Sequence, residues 1–139
     1  GNMKEVPPVG NGELVLIVDD EPVMREIATQ VLETHGYHVM QAGNGEEGVA
    51  VFARHVDEIK LVISDMEMPV MNGAAMIRSI ERINPDIRVI SSTGIAAGRD
   101  AANCSRNEHG TASPHHRILN KPYRLVDLLR TVDEALKAA

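Results

Sequence analysis

The sequence predicts one doubly wound α/β domain, a parallel sheet with helices on both faces. Two observations carry this. Segments of strand and helix character alternate along nearly the whole chain, the pattern of repeated parallel βαβ units. Four polar signals also stand where buried strands would end: Asp19-Asp20-Glu21 after Leu14–Val18, Asp65 after Leu61–Ile63, Ser92-Thr93 after Val89–Ile90, and Lys121-Pro122 after Ile118–Leu119. In an open parallel sheet the carboxyl ends of the strands line one crevice. Three carboxylates, a hydroxyl and an ammonium are therefore expected to meet there, a set able to hold a divalent cation and receive a phosphoryl group.

The first strand, Glu13–Val18, is nearly continuous in apolar character, as a strand buried on both faces must be. Pro22 suits the first turn of the next helix, where Met24, Ile27, Ala28, Val31 and Leu32 recur at helical spacing. Gly36 closes that helix, because glycine takes the left-handed conformation common at helix C-termini. Tyr37–Ala42 is the second strand. Asn44 caps a helix with the apolar face Val49, Phe52, Ala53 and Val56. Lys60–Ser64 is the third strand. A loop with Pro69 and Gly73 leads to a helix bearing Met76, Ile77, Ile80 and Ile83. Asn84-Pro85 ends it, since the residue before a proline avoids helical geometry. Ile87–Ser91 and Arg117–Asn120 are the fourth and fifth strands, and Leu125, Leu128, Leu129, Val132 and Leu136 mark the final helix. Ile95–His116 holds almost no large apolar residue; a weak helix over Ala96–Glu108 and an exposed loop over Thr111–His116 are expected.

Composition narrows the function classes. The 139 residues suggest one domain, with 43% apolar residues to build its core. A net charge of −6 and no run of Lys or Arg beyond two argue against a nucleic-acid surface. Tyr37, Phe52 and Tyr123 are the only aromatics, too few for base-stacking platforms. Cys104 stands alone, which rules out an internal disulfide and fits a reducing, cytoplasmic compartment. No apolar run approaches the roughly 20 residues of a membrane span, and no signal peptide is visible. Residues 1–12, rich in Gly, Pro and Asn, read as a linker or expression remnant ahead of a domain over 13–139.

The motifs Val18-Asp19-Asp20-Glu21-Pro22, Ser64-Asp65-Met66-Glu67-Met68-Pro69-Val70-Met71-Asn72-Gly73, Ser92-Thr93-Gly94 and Leu119-Asn120-Lys121-Pro122-Tyr123 resemble the four signatures of the receiver domain of two-component response regulators. Each is weak alone; four in order, spanning Glu13 to Leu136, are strong. The Gly10-Asn11-Gly12-Glu13 lead-in and the Lys121-Pro122-Tyr123 ending resemble receivers at the carboxyl end of hybrid histidine kinases. The resemblance implies a flavodoxin-like five-stranded sheet in the order 2-1-3-4-5. It implies Asp65 as phosphoacceptor from a histidine kinase or phosphotransfer domain. Asp20 and Asp65 would bind Mg2+ directly, with Mn2+ or Ca2+ able to substitute. Asp19 would act through water, and the Glu67 backbone carbonyl would be a further ligand. Thr93 would bond the phosphoryl oxygen, Lys121 would pair with it, and the Lys121-Pro122 peptide would be cis. Such a chain is a signalling module that catalyses only its own phosphorylation and dephosphorylation.

The physics of the residues agrees with these roles. Magnesium takes oxygen ligands and commonly uses one or two carboxylates plus a phosphate. Clustered carboxylates repel unless a cation or proton is present. A cation and Lys121 would offset charge on the transferred group, and a carboxylate can accept phosphate covalently. Phosphorylation adds about −1.5 to −2 charge and new acceptor oxygens, toward which Thr93 would move. Two departures from the family pattern bear on output. Ile118 stands where many members carry an aromatic, three residues before the lysine. Thr93 and Lys121 are 28 positions apart, a few more than usual, so the segment between them is expected to be remodelled. Ile95, two residues beyond Thr93, is expected to restrict water and lengthen the life of the acyl phosphate.

Plainer readings exist for each signal. Asp19-Asp20 could be a solvated turn at a helix start, Ser92-Thr93 a helix cap, and Lys121-Pro122 only a turn. The histidines 35, 38, 55, 109, 115 and 116 show no zinc spacing and read as surface residues. Met66, Met68 and Met71 read as loop packing, and Cys104 as inert. Two rivals follow for the chain as a whole: a phosphorylation-independent interaction module of the same fold, and a phosphohydrolase with an aspartyl nucleophile. The second lacks room for a substrate-binding cap.

Overall fold

A computed structural model describes residues 6–68, 71–94 and 115–137. Five strands, β1 (Leu14–Val18), β2 (His38–Ala42), β3 (Ile59–Asp65), β4 (Arg88–Thr93) and β5 (His116–Asn120), form one parallel sheet in the order β2-β1-β3-β4-β5. Four helices lie among the described residues: α1 (Pro22–Thr34), α2 (Gly45–Arg54), α3 (Gly73–Ile83) and α4 (Leu125–Lys137). This is the doubly wound α/β arrangement expected from the alternation of elements.

The sheet separates two cores. On one face Leu16, Val18, Val62 and Val89 pack with Phe52 of α2 and Met76, Ile77 and Ile80 of α3. On the other, Val15, Ile17, Leu61, Ile63 and Ile90 pack with Leu32 of α1 and Leu128, Leu129 and Val132 of α4. Both faces of β1 and β3 are thus covered, which is why their sequences are apolar without alternation.

Caps fall where the residue types direct them. Pro22 occupies the first turn of α1. Asn44 accepts from the Glu47 amide at 2.9 Å, and Asn72 accepts from the Ala75 amide at 2.9 Å. Gly36 has φ +95, and a side chain there would also strike the Gly10 carbonyl oxygen at 2.5 Å. Only glycine fits both demands. The lead-in is bonded rather than free at this point: the Gly10 and Gly12 amides donate to the carbonyls of His35 and Gly36, each at 2.7 Å.

Several expectations need correction. Met24 and Ile27 do not enter the core; both are more than 40% exposed, and Ala28, Val31 and Leu32 face inward instead. Ala53 is exposed, and Gly48 takes its place against β1. His116 is not part of an exposed loop but the first residue of β5. Its side chain is 1% exposed, and its Nε2 lies 2.6 Å from Glu81 Oε2 of α3. That one histidine is structural rather than superficial. Met66 and Met68 are buried as loop packing. The expectations for residues 95–114, including Ile95, His109 and Cys104, lie outside the described residues.

Candidate functional site

Strand register brings the polar signals level. Val18 pairs with Ser64, Asp65 with Ser92, and Thr93 with Asn120. The ladder runs one step past the strands: the Asp19 amide donates to Ala42 at 3.1 Å, and the Lys121 amide to Thr93 at 2.8 Å. Asp19, Asp65, Thr93 and Lys121 therefore rim one crevice at the carboxyl edge, as the topology requires.

Asp65 is only 4% exposed. Its Oδ1 accepts from the Glu67 amide at 3.1 Å and from Lys121 Nζ at 3.0 Å. Burial alone would pull the Lys121 ammonium down, but its hydrogen bond and charge contact with Asp65, aided by Glu67 and Asp19, outweigh that and hold it above the usual range. The Lys121-Pro122 peptide is cis.

Asp19, Asp20 and Asp65 each present a carboxylate oxygen within 4.8 Å of the others. Burial pushes the Asp19 carboxyl up, partly relieved by the Glu21 amide that donates to it at 2.9 Å and reinforced by the charges of Asp65 and Asp20. A cluster of hard oxygen donors crowded in this way suits Mg2+, Mn2+ or Ca2+ and disfavours softer metals.

Thr93 is fully buried, and its hydroxyl donates to the Gly94 carbonyl at 3.1 Å. The Glu67 carboxylate accepts from the Gly94 amide at 2.9 Å. Gly73 lets α3 start against the β3 loop, because a Cβ there would lie 2.8 Å from the Asp65 carbonyl oxygen and 2.7 Å from Met66 Sδ.

Three side chains take parts at the site that the motifs did not assign to them. Arg25 donates to the Asp19 carbonyl at 2.7 Å and to Gln41 at 3.0 Å, bracing the acidic turn from α1. Tyr123 sits beside the acids, and burial, then the charge of Asp19, raise its phenol. Glu67 reaches across to Gly94. Tyr123 and Glu67 lie within the quoted motifs, whereas Arg25 lies outside them, one helical turn after Glu21, whose carbonyl its amide bonds.

Beside the crevice, a groove of about 500 Å³ lies between α1 and α4, lined by Met24, Ile27, Ala28, Tyr123, Leu125 and Leu128, with Asp19 and Lys121 also in its wall. No helix among the described residues is long and apolar enough to cross a membrane.

The fold and the crevice define a doubly wound α/β protein with an acidic, lysine-bearing site at the carboxyl edge of its sheet. The chain belongs to the response regulator receiver domain family, whose model matches residues 15–133. It is 32% identical over 123 residues to the sensor kinase CckA of Brucella abortus, covering 88% of this chain but 12% of the kinase. It is 31% identical to the response regulator receiver protein CpdR of the same organism, covering 90% of this chain and 98% of that protein. A receiver domain protein from Clostridium thermocellum superposes with a TM-score of 0.79 at 29% identity, over 88% of this chain and 93% of the other. Receiver domains are signalling modules of two-component systems, and hybrid kinases are among the relatives.

Proposed function

We propose that this domain takes a phosphoryl group from the phosphohistidine of a histidine kinase or phosphotransfer domain onto Asp65, and that the modified form switches a protein-interaction surface. The observation that carries this reading is Asp65 itself: a buried carboxylate bonded by Lys121 at 3.0 Å and flanked by two further carboxylates.

Asp65 supplies the attacking oxygen. Its bond to phosphorus forms as the phosphorus–nitrogen bond to the donor imidazole breaks, and the imidazole leaves with that electron pair and takes up a proton. Lys121 stands ready to neutralise charge on the transferred group. Thr93, which follows Ser92, the ladder partner of Asp65, would turn its hydroxyl toward a phosphoryl oxygen. Asp20 and Asp65, with Asp19 through water and the Glu67 carbonyl, would hold Mg2+, which when bound supplies charge neutralisation and in-line alignment. Carboxylates are weak nucleophiles, so positioning accounts for much of the rate. The apolar groove between α1 and α4 supports docking of the donor protein, because it opens directly beside Asp19 and Lys121. We place this chemistry in the cytoplasm, with the domain over residues 13–139 and no contact with nucleic acid or membrane.

The test is phosphoryl uptake from acetyl phosphate, with and without Mg2+, in wild type and Asp65→Asn, read promptly as intact mass. Gain of one phosphoryl group that needs Mg2+ and disappears in the variant supports the proposal. Ile118, 39% exposed on β5, gives one specific reason to keep a phosphorylation-independent module as the alternative. Magnesium binding without uptake from any donor, protein donors included, would favour it.

A further inference from the structure

The Thr93–Gly94 peptide group is gripped at both ends. Its carbonyl accepts from the Lys121 amide at 2.8 Å, and its N–H donates to the Glu67 carboxylate at 2.9 Å. Glu67 lies 27 residues earlier in the chain. Its own amide donates to Asp65 Oδ1 at 3.1 Å. One residue therefore touches the proposed acceptor with its backbone and the Thr93–Gly94 turn with its side chain. Thr93 is meanwhile engaged away from Asp65, on the Gly94 carbonyl.

We propose that Glu67 is a positioning residue: its carboxylate tethers the Gly94 amide and holds Thr93 in the resting setting, so that the tether opposes the phosphoryl-bound setting until charge on Asp65 loosens it. The inference rests on the reading of Asp65 as acceptor. Turning Thr93 toward Asp65 requires its peptide neighbour to shift, and the Gly94 N–H cannot shift far while a carboxylate holds it. The phosphoryl group carries about −1.5 to −2 charge in place of the negative charge of the Asp65 carboxylate, so the pocket that Glu67 borders becomes more negative. Like charges repel, so the Glu67 carboxylate is pushed from its place when the pocket is charged. Glutamine offers the same amide acceptor without the charge, and alanine offers neither.

The experiment uses the full chain in wild type, Glu67→Gln and Glu67→Ala. Glu67 is exposed, so neither variant disturbs the core. The first readout is hydrogen exchange of the Gly94 amide by NMR, free of metal and phosphate. We expect exchange about five- to tenfold faster in Glu67→Ala than in wild type, with Glu67→Gln restoring most of the protection. The second readout is binding of beryllofluoride, a phosphoryl mimic, in the presence of Mg2+. Here Glu67→Ala should bind severalfold more tightly than Glu67→Gln. Equal Gly94 exchange in all three proteins would overturn the tether. So would equal tightening in both variants, which would mean charge alone matters. If wild type binds no beryllofluoride and takes up no phosphoryl group, the acceptor reading fails, and the exchange comparison still decides whether Glu67 holds Gly94.

Discussion

Lys121 Nζ stands 3.0 Å from Asp65 Oδ1 across 56 residues of sequence. The pair joins the end of β5 to the end of β3 and gives a nearly buried carboxylate a charged hydrogen-bond partner. Removing one partner of such a pair strands the other. Lys121→Met should slow phosphoryl uptake from acetyl phosphate by about a hundredfold, in line with the loss of one charge-stabilising donor. Lys121→Arg should not restore it, since a planar fork does not replace a compact ammonium. Single-turnover uptake by intact mass is the measurement, and a rate within twofold of wild type in Lys121→Met would remove the lysine from the proposed chemistry.

Asp19 links pH to stability. Its carboxyl is held above the ordinary value of 3.8, chiefly by burial. A raised value favours the protonated form in the folded state. The contribution of Asp19 to folding is therefore full below about pH 4 and is lost as pH climbs through the shifted value. Metal-free protein at pH 7 should gain about 2–4 °C in Tm on Asp19→Asn, which keeps an acceptor for the Glu21 amide. Millimolar Mg2+ should raise wild type more than the variant. A metal-free Tm lowered by the substitution would contradict this.

The hydrogen bond between His116 and Glu81 should matter to stability alone. It lies at the amino end of β5, away from Lys121. Glu81→Ala leaves Nε2 of a nearly buried imidazole without its carboxylate, at a cost of about 1–3 kcal/mol. A lower urea midpoint with uptake kinetics unchanged is the expected pair of results.

The groove separates small donors from protein donors. Ile27 is 43% exposed and sits on α1 facing the groove. Ile27→Glu should leave uptake from acetyl phosphate within about twofold while reducing transfer from a phosphorylated donor protein tenfold or more, as loss of an apolar anchor at an interface would. Equal rates from both donors in the variant would place docking elsewhere.

Much of the fold was legible because parallel strands buried on both faces leave an unmistakable boundary: apolar residues stop and the polar signal starts. Asp19, Asp65, Thr93 and Lys121 could be assigned to one rim for that reason alone, and the observed register agrees. Helical spacing is less informative. It groups Met24 and Ile27 with Leu32, but only packing distinguishes a residue facing the core from one facing a groove. His116 was hidden by its type, since a histidine next to a polar stretch reads as exposed until Glu81 is brought to it from another helix. Glu67 was hidden by reach. Its neighbours in sequence say nothing about Gly94, which meets it only once β3 and β4 are paired. The family resemblance named its backbone carbonyl; the side chain's partner is visible only in three dimensions.

The strand order carries one more implication. Asp19, Asp65 and Lys121 come from three strands, none joined to another by a hairpin, with β3 standing between β1 and β4. No local unit of the chain contains a working fraction of the pocket. A small ligand bound there is consequently linked to the cooperative unfolding of the whole sheet rather than to the fraying of one segment. Occupancy of this one crevice should protect amides in the interior strands as strongly as those beside it, so that a ligand touching only the rim reports on, and reinforces, the entire domain.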